Sequence, residues 1–470
     1  MENRQGAPST ATSPELPRVL GLISIIGIVI GTMIGSGIFI NPAKVAKDVG
    51  TPGLMLAVWI LGGILSFFGA LAVAELGAMF TRAGGIYVYL REAYGPLVAF
   101  LFGWALFLVI ESGTIATLAV GFSSKYLPYF LDLSPLATRV VAVSLIAILA
   151  LVNILGVRKS AFLMNFLTAI KFVALIAVCT LIFIFAKGST GNLLAAGPAA
   201  AGAGGLLGRF GLALVAVLWA YKGWETGTYS AGEIRDPQKK LPLGLFIGTL
   251  TVLGLYVLAN LAYLYVFPAS RMAASGRIAA DVMAVVFGPA GAAAIALIIL
   301  LSMTGTANGH IMTSSRVFYA MARDGLFFKG IAKVHPRYLT PHLSIIMLTS
   351  WAAVLSLSGT FEQLFSYVIF GFWIFMGLTV AGVILLRRKR PDLPRPYRTW
   401  GYPLTPLLFI LSSVFLTINS LVHDFRNSAF GLGLIALGIP VFFVWRGRRT
   451  PGADENAGDH AGDDDHDRRS

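Results

Sequence analysis

Three glycines, at positions 31, 35 and 37 in the stretch GTMIGSGIF (31–39), interrupt an otherwise long apolar run. Glycine lacks the side chain that would keep a ligand off the backbone, and it accepts the dihedral angles of an unwound turn. Unwinding here would release backbone N–H groups at the start of a second half-helix, whose positive dipole end can hold a carboxylate. The same glycines equally suit close packing of helices through small residues. A second interruption, WAYKGWETGTYSAGE (219–233), puts Lys222, Gly223, Glu225, Gly227 and Thr228 into another apolar segment. Carbonyls freed between Trp219, Ala220 and Gly223 would accept hydrogen bonds from an ammonium group, so the two interruptions together suit the two charged ends of a small zwitterion.

Other polar residues stand in apolar runs, where a charge is costly unless it is paired or faces a polar cavity. Lys171 is some ten residues from either end of its run, too deep to snorkel easily to an interface. Glu111 either lines a cavity or hydrogen-bonds a neighbouring helix. Glu225 either couples to the protonation or charge of a substrate or pairs with Lys222 close by in sequence. Asn308 and His310 read as interhelical hydrogen-bonding residues, and His310 is not read as a metal ligand. Trp219 is either an aromatic that closes over a ligand or a core or interface tryptophan. Glu75 and Arg82 flank the end of one run, ahead of AGGIYVYL, and read as structural or gating residues.

The elements that must position these residues follow from composition. The chain has 470 residues, 56% of them hydrophobic and 12% charged, with a mean hydropathy of +0.78. That much apolar surface cannot be hidden inside water-soluble domains, so the bilayer is the solvent. Apolar segments recur near 19–46, 54–80, 97–124, 137–156, 160–186, 209–231, 241–267, 288–320, 342–358, 361–386, 402–422 and 428–445. About 20 apolar residues make one span, which predicts an all-α integral membrane protein of about twelve helices in a single domain, 18–450. The breaks fall in the first and sixth segments, five apart, as in an inverted repeat of five helices plus five. The repeats would be 19–186 and 209–386, joined by a Gly/Ala-rich linker at 188–208 and followed by two further helices within 402–445.

The net charge of +14 would suggest nucleic acid in a soluble protein, but the basic residues sit in short loops, so no nucleic acid partner is expected. Arg82, Arg91, Arg158, Lys159, Arg235, Lys239, Lys240, Lys329, Lys333, Arg337 and the cluster from Arg387 to Arg398 alternate with cation-poor loops. This bias puts both termini in the cytoplasm. Residues 1–17 lack the layout of a secretory signal and read as a disordered arm, and 451–470 as a disordered acidic tail. Cys179 is the single cysteine, so neither a disulfide within the chain nor a thiolate metal cluster is expected.

Four stretches in order, GTMIGSGIF, WAYKGWE with AGEIRDPQKKLP, SSRVFYAMARDGLF and RRKRPDLPRPYRTWGYP, resemble the L-type amino acid transporter branch of the amino acid/polyamine/organocation superfamily. The resemblance covers nearly the whole chain. It implies a bacterial permease of the inner membrane, usually sodium-independent and often an exchanger, working by alternating access. Carried over position by position, Met33, Ile34, Gly35, Ser36 and Gly37 match the carboxylate-binding turn, Trp219 the closing aromatic and Gly223 the second break. Lys171 matches a lysine that stands where sodium sits in sodium-coupled relatives of this fold. Glu225 departs from the neutral amide commonest in that branch and resembles the acid of arginine/agmatine and polyamine antiporters, while Lys222 replaces a small residue. The expectation is transport of neutral L-amino acids; the alternatives are a proton-coupled or cationic amino acid/polyamine antiporter, and a sensor or light subunit that signals without flux. No nucleophile with its base, phosphate loop or redox cysteine pair supports an enzyme. No cofactor, no metal and no obligatory protein partner are expected; the partners are the amino acid and the lipid bilayer.

Overall fold

Lipid offers the backbone no hydrogen-bond partner, so apolar segments of this length must close their bonds internally. The computed structural model describes residues 16–195, 205–358, 361–423 and 425–447, and apart from one parallel bridge between Leu20 and Ile234 its regular structure is helical. The N-terminal arm up to residue 15, residues 196–204 of the linker and the acidic tail lie outside the described residues.

The first expected span is two half-helices, α1 (Leu22–Met33) and α2 (Gly37–Val49), bent by 41° at the glycines. Then follow α3 (Pro52–Met79), a short amphipathic α4 (Ile86–Tyr94), α5 (Pro96–Tyr129), α6 (Pro135–Ile154) and α7 (Val157–Phe185). The sixth span divides into α8 (Leu206–Ala220) and a single turn, α9 (Thr226–Tyr229). After it come α10 (Pro237–Val266), α11 (Ile278–Arg323), α12 (His342–Ser358), α13 (Phe361–Lys389), α14 (Leu404–His423) and α15 (Phe425–Gly447). Among the described residues nine helices are long and apolar enough to cross a bilayer, and the bent pair makes a tenth. The shorter apolar helices α8 and α12 stand where the sixth and ninth spans are expected.

Local sequence sets the boundaries. Pro52 opens α3 behind Thr51, whose hydroxyl accepts the Leu54 N–H, and Pro135 opens α6 behind Ser134, which accepts from Ala137. In α11, Gly288 takes φ 67° ahead of Pro289 and turns a lead-in helix into the long span that carries Ser302, Thr306 and His310.

The basic loops share one end of the bundle. Gly84 N–H donates to Tyr229 (2.9 Å), Thr340 Oγ1 to Ile154 (2.9 Å), Tyr87 and Arg91 to Asp324, and Arg390 to Glu92 (3.0 Å). Glu75 is buried beneath Arg387, which donates to it twice, while the Thr399 hydroxyl and amide donate to its second oxygen. At the same end the chain start is clasped: Val19 and Leu20 N–H donate to the Glu233 carbonyl, and Arg235 N–H to Leu20. The Glu233 carboxylate in turn holds Arg316 of α11 in a fully buried bidentate pair at 2.7 and 3.0 Å.

Candidate functional site between the two broken helices

The two breaks meet. A Cβ on Gly37 would fall 2.6 Å from Ala220 Cα, and one on Gly223 2.7 Å from the Thr32 carbonyl carbon, so only glycine allows this approach. Gly223 also takes φ 124°. Across the junction Thr32 Oγ1 lies 2.9 Å from the Gly223 carbonyl, and Tyr256 Oη shares its proton between the carbonyls of Met33 (2.7 Å) and Ala220 (3.0 Å). Asn41 Nδ2 donates to Ala216 (2.6 Å). Both interruptions are therefore unwound backbone stitched together, not helices packed through small residues.

At the first break Gly35 N–H turns back to Met33 (2.9 Å), whereas the amides of Ser36, Gly37 and Ile38 have no acceptor among the described residues. These are the orphan donors of a helix start. The carbonyls on the opposite side of the turn are occupied. Lys171 Nζ donates to Ile34 (2.8 Å), to Gly31, to Ser302 (3.4 Å) and to Thr306 Oγ1 (3.0 Å), while Ser302 Oγ reaches Ile34 (2.8 Å). A buried ammonium thus sits in an oxygen cage built by α1, its break and α11.

Beside the junction lies a small, partly open cavity. The first broken helix contributes Thr32, Met33, Gly35, Ser36 and Gly37 to its wall; Trp219, Ala220 and Lys222 come from the second. Helix α5 adds Thr114 and Leu118, and α11 adds Thr306 and His310. Trp219 is 8% exposed and forms part of that wall.

Of the residues expected from sequence, Ile34, Gly223, Glu225, Lys171 and Glu111 stand behind this surface. Glu225 folds back, its Oε2 accepting the Gly223 N–H (3.0 Å), with Oε1 3.9 Å from Lys222. The close partner of Lys222 is Glu111, at 2.8 Å. Glu111 follows a π-turn at Leu106–Ile110 and also binds His310 Nδ1 (2.7 Å) and Ser314 Oγ (2.7 Å). Asn308, by contrast, bonds Asn153 (2.9 Å) in a separate buried network of α6, α7 and α11. Lys222 and His310 as wall residues, and Thr114 and Thr306 beside them, were not singled out by spacing; the one signal was their polarity inside apolar runs.

Unwound, mutually stitched half-helices beside a cavity within an all-α bundle are the architecture of a polytopic membrane transporter. The amino acid permease family model matches residues 20–443. The chain is 36% identical over 414 residues to the b(0,+)-type amino acid transporter 1 of Homo sapiens, covering 87% of this chain and 83% of that one. It is 32% identical over 436 residues to the human cystine/glutamate transporter (92% and 86%), and 34% over 458 residues to the large neutral amino acids transporter small subunit 2 of Mus musculus (93% and 85%). The chain belongs to the amino acid permease family, and its function is amino acid transport.

Proposed function

We propose that the protein carries neutral L-amino acids, independently of sodium, by alternating access from an inner membrane with both termini in the cytoplasm. The observation that carries this reading is the set of free amides at Ser36, Gly37 and Ile38, the first two of them in the wall of a cavity bounded by the second break. In it the substrate carboxylate takes those amides, and the ammonium takes carbonyls of the Trp219 to Gly223 turn. Those of Tyr221 and Lys222 have no donor among the described residues. Trp219 closes over the ligand. Lys171 supports sodium independence, since a tethered ammonium already fills an oxygen cage suited to a cation.

Repeat one is 19–186 and repeat two 209–386, moving against each other around this site. The test is counterflow in proteoliposomes holding the purified chain alone, with a panel of amino acids, with and without sodium. Saturable neutral amino acid exchange in sodium-free buffer supports the reading, and strict sodium dependence overturns it. One relative is named as a small subunit; uptake by the isolated chain decides whether this one needs a companion. A proton-coupled reading has one observation in its favour, the buried Glu225 Oε1 that meets no hydrogen-bond donor.

A further inference from the structure

The cavity wall presents two ionisable side chains, Lys222 and His310, and both are held from behind by the same carboxylate, Glu111. We propose that Lys222 and His310 form a subsite for the substrate's side chain that selects an uncharged carboxamide, that of glutamine or asparagine. This rests on the reading of the cavity as an amino acid site.

Glu111 receives Lys222 Nζ on one oxygen and His310 Nδ1 and Ser314 Oγ on the other, an arrangement that uses it purely as an acceptor. The proton of a neutral His310 therefore sits on Nδ1, and Nε2 carries a lone pair. No donor among the described residues meets Nε2. Lys222 has three N–H donors, of which Glu111 engages one; Nζ also lies 5.3 Å from the centre of the Phe372 ring, and Glu225 at 3.9 Å is beyond hydrogen-bond length. What remains toward the cavity is a donor beside an acceptor, fixed by opposite oxygens of one carboxylate. A carboxamide is the side-chain group whose C=O and NH₂ answer both at once.

Charge argues the same way. A cationic side chain would meet the Lys222 ammonium on the wall, while Glu111 and Glu225 stand behind it. A side-chain carboxylate would bring a third acid to one ammonium that is already paired, in a medium where unbalanced charge is costly. An aliphatic side chain would bury the Lys222 N–H groups and His310 Nε2 without partners, and sites built to hydrogen-bond a ligand reject analogues that leave them unpaired.

The experiment compares kcat/KM for labelled glutamine, asparagine, leucine, glutamate and arginine with the full chain in liposomes. Glutamine or asparagine should exceed each of the other three by at least about tenfold. In Lys222→Met, and in Glu111→Gln/Lys222→Met, which removes both charges of the pair, that advantage over leucine should fall to about twofold or less. Leucine, glutamate or arginine carried as well as glutamine by the wild type overturns the subsite and leaves amino acid transport standing. So does a carboxamide preference retained in the double variant. Uptake of none of the panel by the chain alone overturns the proposed function, transport through this cavity without a companion, and the subsite with it. If neither variant folds, the wild-type panel still decides.

Discussion

Gly37→Ala tests whether the contact between the breaks is the site. The new methyl would lie 2.6 Å from Ala220 Cα, where ordinary contact begins at 3.4 Å, so the two half-helices must part by about 0.8 Å. Overpacking of this kind costs about 1–3 kcal/mol, and alanine's better helix propensity returns up to about 1 kcal/mol at this helix start. The net loss of roughly 0–3 kcal/mol is below the ~5–15 kcal/mol that holds a fold together, and the protein stays folded. Function is more exposed: a displacement near 1 Å between groups that must act on one ligand costs on the order of 100-fold in rate. Initial uptake in proteoliposomes should fall about that far, while the thermal midpoint in detergent moves by only a few degrees. Gly254→Ala on α10, which meets no atom within 4 Å, should leave uptake unchanged. If Gly37→Ala takes up amino acids within twofold of wild type, the substrate is not held between the breaks.

Lys171→Met strips the oxygen cage of its cation and leaves the Gly31 carbonyl and its neighbours to the Ser302 and Thr306 hydroxyls; uptake should drop at least about tenfold, with each unmet buried acceptor costing about 1–3 kcal/mol, read by thermal denaturation. Arg316→Met isolates the buried Glu233 and should cost about 3–5 kcal/mol, whereas the joint Glu233→Gln/Arg316→Met change should recover much of that loss. Glu225→Gln can still accept the Gly223 N–H, so neutral amino acid exchange should stay within about threefold with an unaltered pH profile; a profile that moves would favour the proton-coupled reading.

The membrane fold was legible because lipid imposes a length and a polarity on each span, and the glycines at 35 and 37 and at 223 marked both interruptions. The site was legible only as far as the backbone carried it. Met33, Gly35, Ser36 and Gly37 reach the cavity because main-chain amides open wherever the helix unwinds. Side-chain direction was not readable: Gly223 at φ 124° folds Glu225 back onto its own turn and leaves Lys222 on the wall. Nor was the partnership of Lys222 with Glu111 and His310, since these come from three spans that no local period relates. The expected sixth segment of 209–231 gives no sign that α9 is only Thr226–Tyr229, followed at once by a 3₁₀ turn at Ala231–Glu233.

The clasp of Val19 and Leu20 on Glu233 gives the beginning of the chain a mechanical part. Any motion that draws the lower piece of the sixth span away from α11 must either drag this leader along or let it go, together with the arginine locked behind it. A dye on Arg18 would then brighten or dim with each such excursion. A fusion joined close ahead of Leu20 would weigh on the hinge, while one on a long tether would not.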